Sequence, residues 1–113
     1  MIELNGKKYI CPSQIPIHIV DDKWKFLIIW YLASKPLRVS ELSQKINDIS
    51  QRTLSRKLKD LEEASLVKRE VFAEVPPKVE YSLTNHGVKL LEIFNILSTW
   101  GEQYAKDMGA KLF

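Results

Sequence analysis

The sequence predicts an α+β domain of mainly α character, and three observations point that way. Apolar residues recur at helical spacing through most of the chain. One stretch between residues 66 and 83 is instead rich in Val, Phe and Tyr and broken by adjacent prolines, and a long helical pattern follows it to the end. With 113 residues, 45% hydrophobic and 27% charged, the chain has the make-up of one globular domain, residues 1–113, around one core. No repeat or low-complexity tract interrupts it. Its punctuation falls at Pro12, Pro16, Pro36, Pro76-Pro77 and Gly87.

Residues 1–22 read as an N-terminal arm with a short helix. Asp21 and Asp22 suit a helix start by capping and by charge, and KWKFLIIWYLAS then carries apolar residues on nearly every side. This is the central helix, ended by Pro36. Ser40 is placed to cap a short amphipathic helix, SELSQKI, whose Leu42 and Ile46 lie four apart on one face. Asn47 to Ser50 makes a turn. Ser50 caps the next helix, about Gln51 to Ala64, where Leu54, Leu58 and Leu61 recur at spacings of four and three and form one buried stripe. LVKREVFAE and VEYSL read as strands, and the VPPK between them cannot continue a ladder because proline lacks an N–H, so a β-hairpin results. Thr84 caps a long helix reaching about Met108. Its apolar residues, Val88, Leu91, Ile93, Phe94, Ile96, Leu97, Trp100 and Tyr104, are too many for one core-facing stripe. Two short helices joined by a tight turn, a two-stranded wing and a terminal helix are the element order of a winged helix-turn-helix.

Several functional classes fall away on composition. The longest apolar run, Phe26 to Ala33, is far short of the roughly 20 residues that a membrane-spanning helix needs. The segment MIELNGKKYICPSQ lacks the continuous apolar region of a signal peptide, so no membrane partner and a cytoplasmic location are expected. The lone Cys11 excludes an intramolecular disulfide and a cysteine-rich zinc site, and His18 and His86 fall short of a ligand set, so no metal is expected. No nucleophile motif, phosphate-binding loop or catalytic dyad stands out, so neither enzyme activity nor a cofactor is expected. The net charge of +3 and pI near 9.0 suit a polyanionic partner without demanding one. Lys89, Lys106 and Lys111 balance Glu92, Glu102 and Asp107 after residue 83, so the whole excess lies in residues 1–83.

At 100° per residue, Arg52, Arg56, Lys59 and Glu63 fall opposite the leucine stripe of the helix from about Gln51 to Ala64, with Gln51 and Ser55 flanking. One helix fits the major groove of B-DNA, where such side chains read base edges or hold phosphates. The start SQRTLSR, with Ser50, Gln51, Arg52, Thr53, Ser55 and Arg56, supplies them, and the helix N-terminus adds free N–H groups for a phosphate. The bland alternative, a solvated face, is disfavoured by the helix-turn-helix order around it. Lys68, Arg69 and Lys78 of the hairpin would lie along the DNA backbone or enter the minor groove; the alternative is solubilising charge on a sheet edge. Arg38, just before the short helix, would pair with a phosphate by the same logic. Because one such module reads few base pairs, a homodimer on a pseudo-palindromic duplex site is expected. Ile93, Ile96, Leu97, Trp100 and Tyr104 are the candidate dimer surface, joined by the segment around Tyr9 to Ile19; burial of some of them within their own protomer is the alternative.

The chain from Asp21 to Gly87 resembles the HxlR-type winged helix regulators of bacteria and archaea. The resemblance is carried by Lys23-Trp24-Lys25, Pro36-Leu37-Arg38, Ile49-Ser50-Gln51-Arg52-Thr53-Leu54, Leu58 with Leu61-Glu62, and EVPPKVEYSLT from Glu74 to Thr84. It implies a dimeric DNA-binding transcription factor of MarR-like architecture, with the helix beginning at Ser50 in the major groove. Cys11-Pro12 matches an N-terminal Cys-Pro of the family, whose cysteine in some members senses quinones, aldehydes or oxidants; Ser13-Gln14-Ile15-Pro16 departs from the usual continuation. Two readings of Cys11 stand: a reactive thiol with its pKa lowered by Lys7, Lys8 and a following helix, or a buried, inert small apolar side chain. A small-molecule effector is compatible with the family, but no residue identifies one. A rival of another class is a winged helix used for protein–protein contact without sequence-specific DNA binding, since fold alone does not set function.

Overall fold

The computed structural model describes residues 1–111. Its elements run β1 (Ile2–Leu4), β2 (Lys7–Tyr9), α1 (Gln14–Ile19), α2 (Lys23–Tyr31), α3 (Val39–Lys45), α4 (Gln51–Glu63), β3 (Val67–Phe72), β4 (Lys78–Leu83) and α5 (Asn85–Asp107). Two antiparallel hairpins, β1-β2 and β3-β4, flank the helices. Mainly α, with β3-β4 as the wing, the molecule is a winged helix-turn-helix.

Each helix start has a chemical cause. Asp22 accepts a hydrogen bond from the Lys25 N–H at 2.9 Å and Ser50 one from Thr53 at 3.1 Å, while Thr84 accepts from Gly87 at 3.1 Å. The start of α3 differs from expectation: Arg38, not Ser40, is its N-cap, because the Glu41 carboxylate accepts the Arg38 N–H at 2.9 Å. Likewise α2 stops at Tyr31, short of Pro36, where the last turn tightens as the Ala33 N–H donates to the Trp30 carbonyl at 3.2 Å. Ser65, at φ 60, closes α4, and the Leu66 N–H returns to the Leu61 carbonyl at 3.0 Å.

The N-terminal arm contains a hairpin that the sequence reading passed over. Asn5 (φ 50) and Gly6 (φ 78) form its two-residue turn, and positive φ at both positions suits Asn-Gly. Pro16 sits in the first turn of α1, where a missing N–H leaves no hydrogen bond broken.

The core lies where α2, α3 and α4 meet. Ile28, Ile29, Leu42, Leu54, Leu58 and Leu61 are fully buried, with Leu37, Ile46 and Val67 nearly so. The register pairs Val67 with Leu83 and Phe72 with Lys78. Leu37 adds a bridge to Tyr81, each N–H donating to the other's carbonyl at 2.8–2.9 Å, and thereby ties the loop before α3 to the wing. From α5, Leu90 and Phe94 enter the core, the latter stacked on Phe26 at 4.0 Å between ring centroids. Gly87 is required where α5 crosses the wing root: a β-carbon there would collide with the Leu66 carbonyl oxygen.

Candidate nucleic-acid interface

The leucine stripe decides what α4 shows to solvent. With Leu54, Leu58 and Leu61 turned wholly inward, Gln51, Arg52, Ser55, Arg56 and Lys59 are exposed on the far side. Among the described residues no carboxylate lies within ion-pair distance of Arg52, Arg56 or Lys59, so all three guanidinium or ammonium groups are available to a partner. The acidic residues of the helix, Asp60, Glu62 and Glu63, gather at its C-terminal end, and the first turn holds none. The N-terminal half is thus a basic, hydrogen-bonding surface. Ser50 and Thr53 are less open to a ligand: Ser50 Oγ accepts the Thr53 N–H and donates to Thr53 Oγ1 at 2.9 Å, so these hydroxyls build the helix start.

The wing is different. Lys68, Arg69 and Lys78 are matched by Glu70, Glu74 and Glu80, so its charges cancel. Neighbouring strand residues point to opposite faces, and Lys68 (opposite Ser82) and Arg69 (opposite Tyr81) therefore cannot both address one ligand surface. Both are exposed. Lys78 is already engaged, with its ammonium 2.9 Å from Glu80 and 5.1 Å above the Phe72 ring. The Leu37–Tyr81 bridge nevertheless brings Arg38 and Lys78 to one depression between the start of α3 and the wing, which Lys35 also lines. Lys35 escaped the sequence reading because only that bridge brings Lys78 beside the loop of Lys35 and Arg38.

Two further predicted surfaces are open. Ile93, Ile96, Leu97, Trp100 and Tyr104 leave half or more of their side chains exposed, from 50% at Ile93 to 70% at Ile96, with Trp100 and Tyr104 stacked at 4.9 Å. Of the N-terminal segment, Ile10 and Ile17 are also exposed, whereas Tyr9 is buried in its own protomer.

Cys11 is exposed, which overturns the reading of a buried, inert side chain. Its thiol pKa is lowered, though not by lysines: the Ser13 hydroxyl, 3.0 Å from Sγ, and the Ser13 backbone favour the thiolate, against a small opposing desolvation. Lys7 instead donates to His18 Nε2 at 2.7 Å, and Tyr9 Oη lies 2.9 Å from His18 Nδ1, so this histidine joins the first hairpin to α1.

The family model for HxlR-like helix-turn-helix proteins matches residues 19–108. The chain belongs to this family. An uncharacterised HTH-type transcriptional regulator of Methanothermobacter thermautotrophicus is 38% identical over 102 residues, covering 90% of this chain and 78% of that protein. A MarR-family regulator structure from Enterococcus faecalis superposes with TM-score 0.82 at 31% identity, over 95% of this chain and 97% of that one. The redox regulator HypR in its reduced form gives TM-score 0.80 at 35% identity, over 87% and 96%. This HxlR-like protein is accordingly a transcriptional regulator of the helix-turn-helix type. The matched span begins at Ile19, after Cys11, and contains the whole helix-turn-helix and wing. Among the described residues no helix is long and apolar enough to cross a membrane.

Proposed function

We propose that two copies of this chain associate through α5 and bind one pseudo-palindromic duplex, each placing the exposed face of α4 in the major groove. The observation that carries the reading is the unpaired set Arg52, Arg56 and Lys59, projecting with Gln51 and Ser55 from a helix whose opposite face is sealed in the core. Arg and Gln there supply the donors that read guanine and adenine edges, and Lys59 serves a phosphate. Arg38, Lys35 and Lys78 flank the groove helix and meet the adjoining backbone, which positions the protein without reading sequence. For Lys78 this requires giving up Glu80, so its contribution is smaller than that of the α4 cations.

The exposed apolar side of α5 supports the dimer, since five large apolar side chains in contiguous helical turns are costly to leave in water. The exposed thiol of Cys11, favoured as thiolate by Ser13, supports a response to oxidants or electrophiles, as does the likeness to a regulator named for redox control.

Selection of bound duplexes from a random pool tests this reading. The expected product is an inverted repeat whose half-sites lie about 34–36 Å apart or a multiple of that. Weak binding that ignores sequence even at low salt would instead make the chain a winged-helix module for protein–protein contact.

A further inference from the structure

Between α2 and α4 the structure holds two crossed ion pairs that the basic face of α4 does not use. Lys57, the one α4 cation turned away from solvent, places its ammonium 2.6 Å from Asp22 Oδ2, with both side chains about one quarter exposed. Lys25, in the first turn of α2, is buried, and its ammonium lies 3.3 Å from Asp21 Oδ1, 3.7 Å from Asp60 Oδ2 and 3.3 Å from the carbonyl of Ile19, the last residue of α1. Asp22 serves twice, since its Oδ1 also caps α2. Burial raises the pKa of the Asp22 carboxyl, and Lys57 together with the Lys25 N–H lowers it by more, so the net direction is down. The attraction that buries a leucine stripe is non-directional, whereas charge pairs at fixed positions add a preference for one register of the helix.

Resting on the proposed use of α4 in the major groove, we infer that Asp22, Lys25, Lys57 and Asp60 are positioning residues, an ionic latch that sets the seat of the DNA-facing helix and ties it to the end of α1. Recognition of a base edge depends on sub-ångström placement of the helix, while attraction to phosphates does not. The latch therefore governs sequence preference rather than general affinity. It also gives the N-terminal segment a physical route to α4, through the Ile19 carbonyl and Lys25.

The test compares the full-length protein and its Asp22→Asn, Lys57→Met, double and Lys57→Arg variants on two duplexes, the one selected by the wild type and an unrelated one, by fluorescence anisotropy with melting curves in the same buffer. Asn keeps the cap of α2, so the Asp22→Asn variant retains its fold. Each single variant should lose about tenfold on the selected duplex and little on the unrelated one, the double should lose no more than either single, and Lys57→Arg should recover the preference. Equal losses on both duplexes for Lys57→Met would mean that Lys57 touches phosphate and would overturn the latch. So would tighter binding of the unrelated duplex by Asp22→Asn, or a lowered melting temperature with the preference intact. A wild type that prefers no duplex overturns the groove reading, and the latch with it.

Discussion

Helices α4 and α5 are both amphipathic, yet they are finished differently. Every leucine of the α4 stripe is fully buried in its own protomer, and the outer side of its N-terminal half is cationic and hydrogen-bonding. In α5 only Gly87, Leu90 and Phe94 are buried, and the C-terminal half exposes Ile96, Trp100 and Tyr104. One helix is completed by its own chain and leaves a cationic side in water; the other leaves an apolar side there. Stability and assembly should therefore respond separately to changes in the two.

The largest effect expected is at Leu58. Truncation to Ala should cost about 2–5 kcal/mol in denaturant unfolding, whereas the same truncation at Leu97 should cost the isolated protomer far less. Equal losses would erase the contrast between the helices. Replacing Trp100 with Glu should next convert dimer to monomer in sedimentation equilibrium while the circular dichroism of the fold stays intact. Affinity for an inverted repeat should drop by about a hundredfold as the two half-sites lose their linkage. Arg56→Ala should cost about 1–3 kcal/mol on the selected duplex if it meets a base. Lys78→Ala should cost less, at every sequence alike, with a shallower dependence on salt. The smallest effect concerns pH. The Asp22 pKa is lowered on folding, so its contribution is present above the unfolded value and fades as pH falls through the folded one, below the ordinary aspartate range. Asp22→Asn should therefore flatten the acid limb of the stability curve, read by denaturation between pH 2 and 5.

Much of this was legible in residue order. The spacing of Leu54, Leu58 and Leu61 identified both faces of α4, and Ser50, Thr84 and Asp22 announced their helices because capping is a local interaction. The readings that failed depend on partners distant in sequence or on a competing local one. Glu41 outcompeted Ser40 by reaching back to the Arg38 N–H. Lys78 looked free until Glu80, two positions on and on the same strand face, claimed its ammonium. Lys7 looked available to Cys11 until His18 took it. The Asn5-Gly6 turn was a strong local signal left unread, since its three-residue strands carry no buried alternation except Tyr9. The pairing of Lys57 with Asp22 spans 35 positions and has no signature in sequence.

The most direct measurement is a titration of the Arg52→Ala, Arg56→Ala double variant against the duplex selected by the wild type and against a scrambled one. If the outward face of α4 occupies the groove, the selected duplex should lose its advantage and the two binding curves should converge, with the dimer and melting temperature unaltered. A double variant that still distinguishes the two duplexes as well as the wild type would contradict the account.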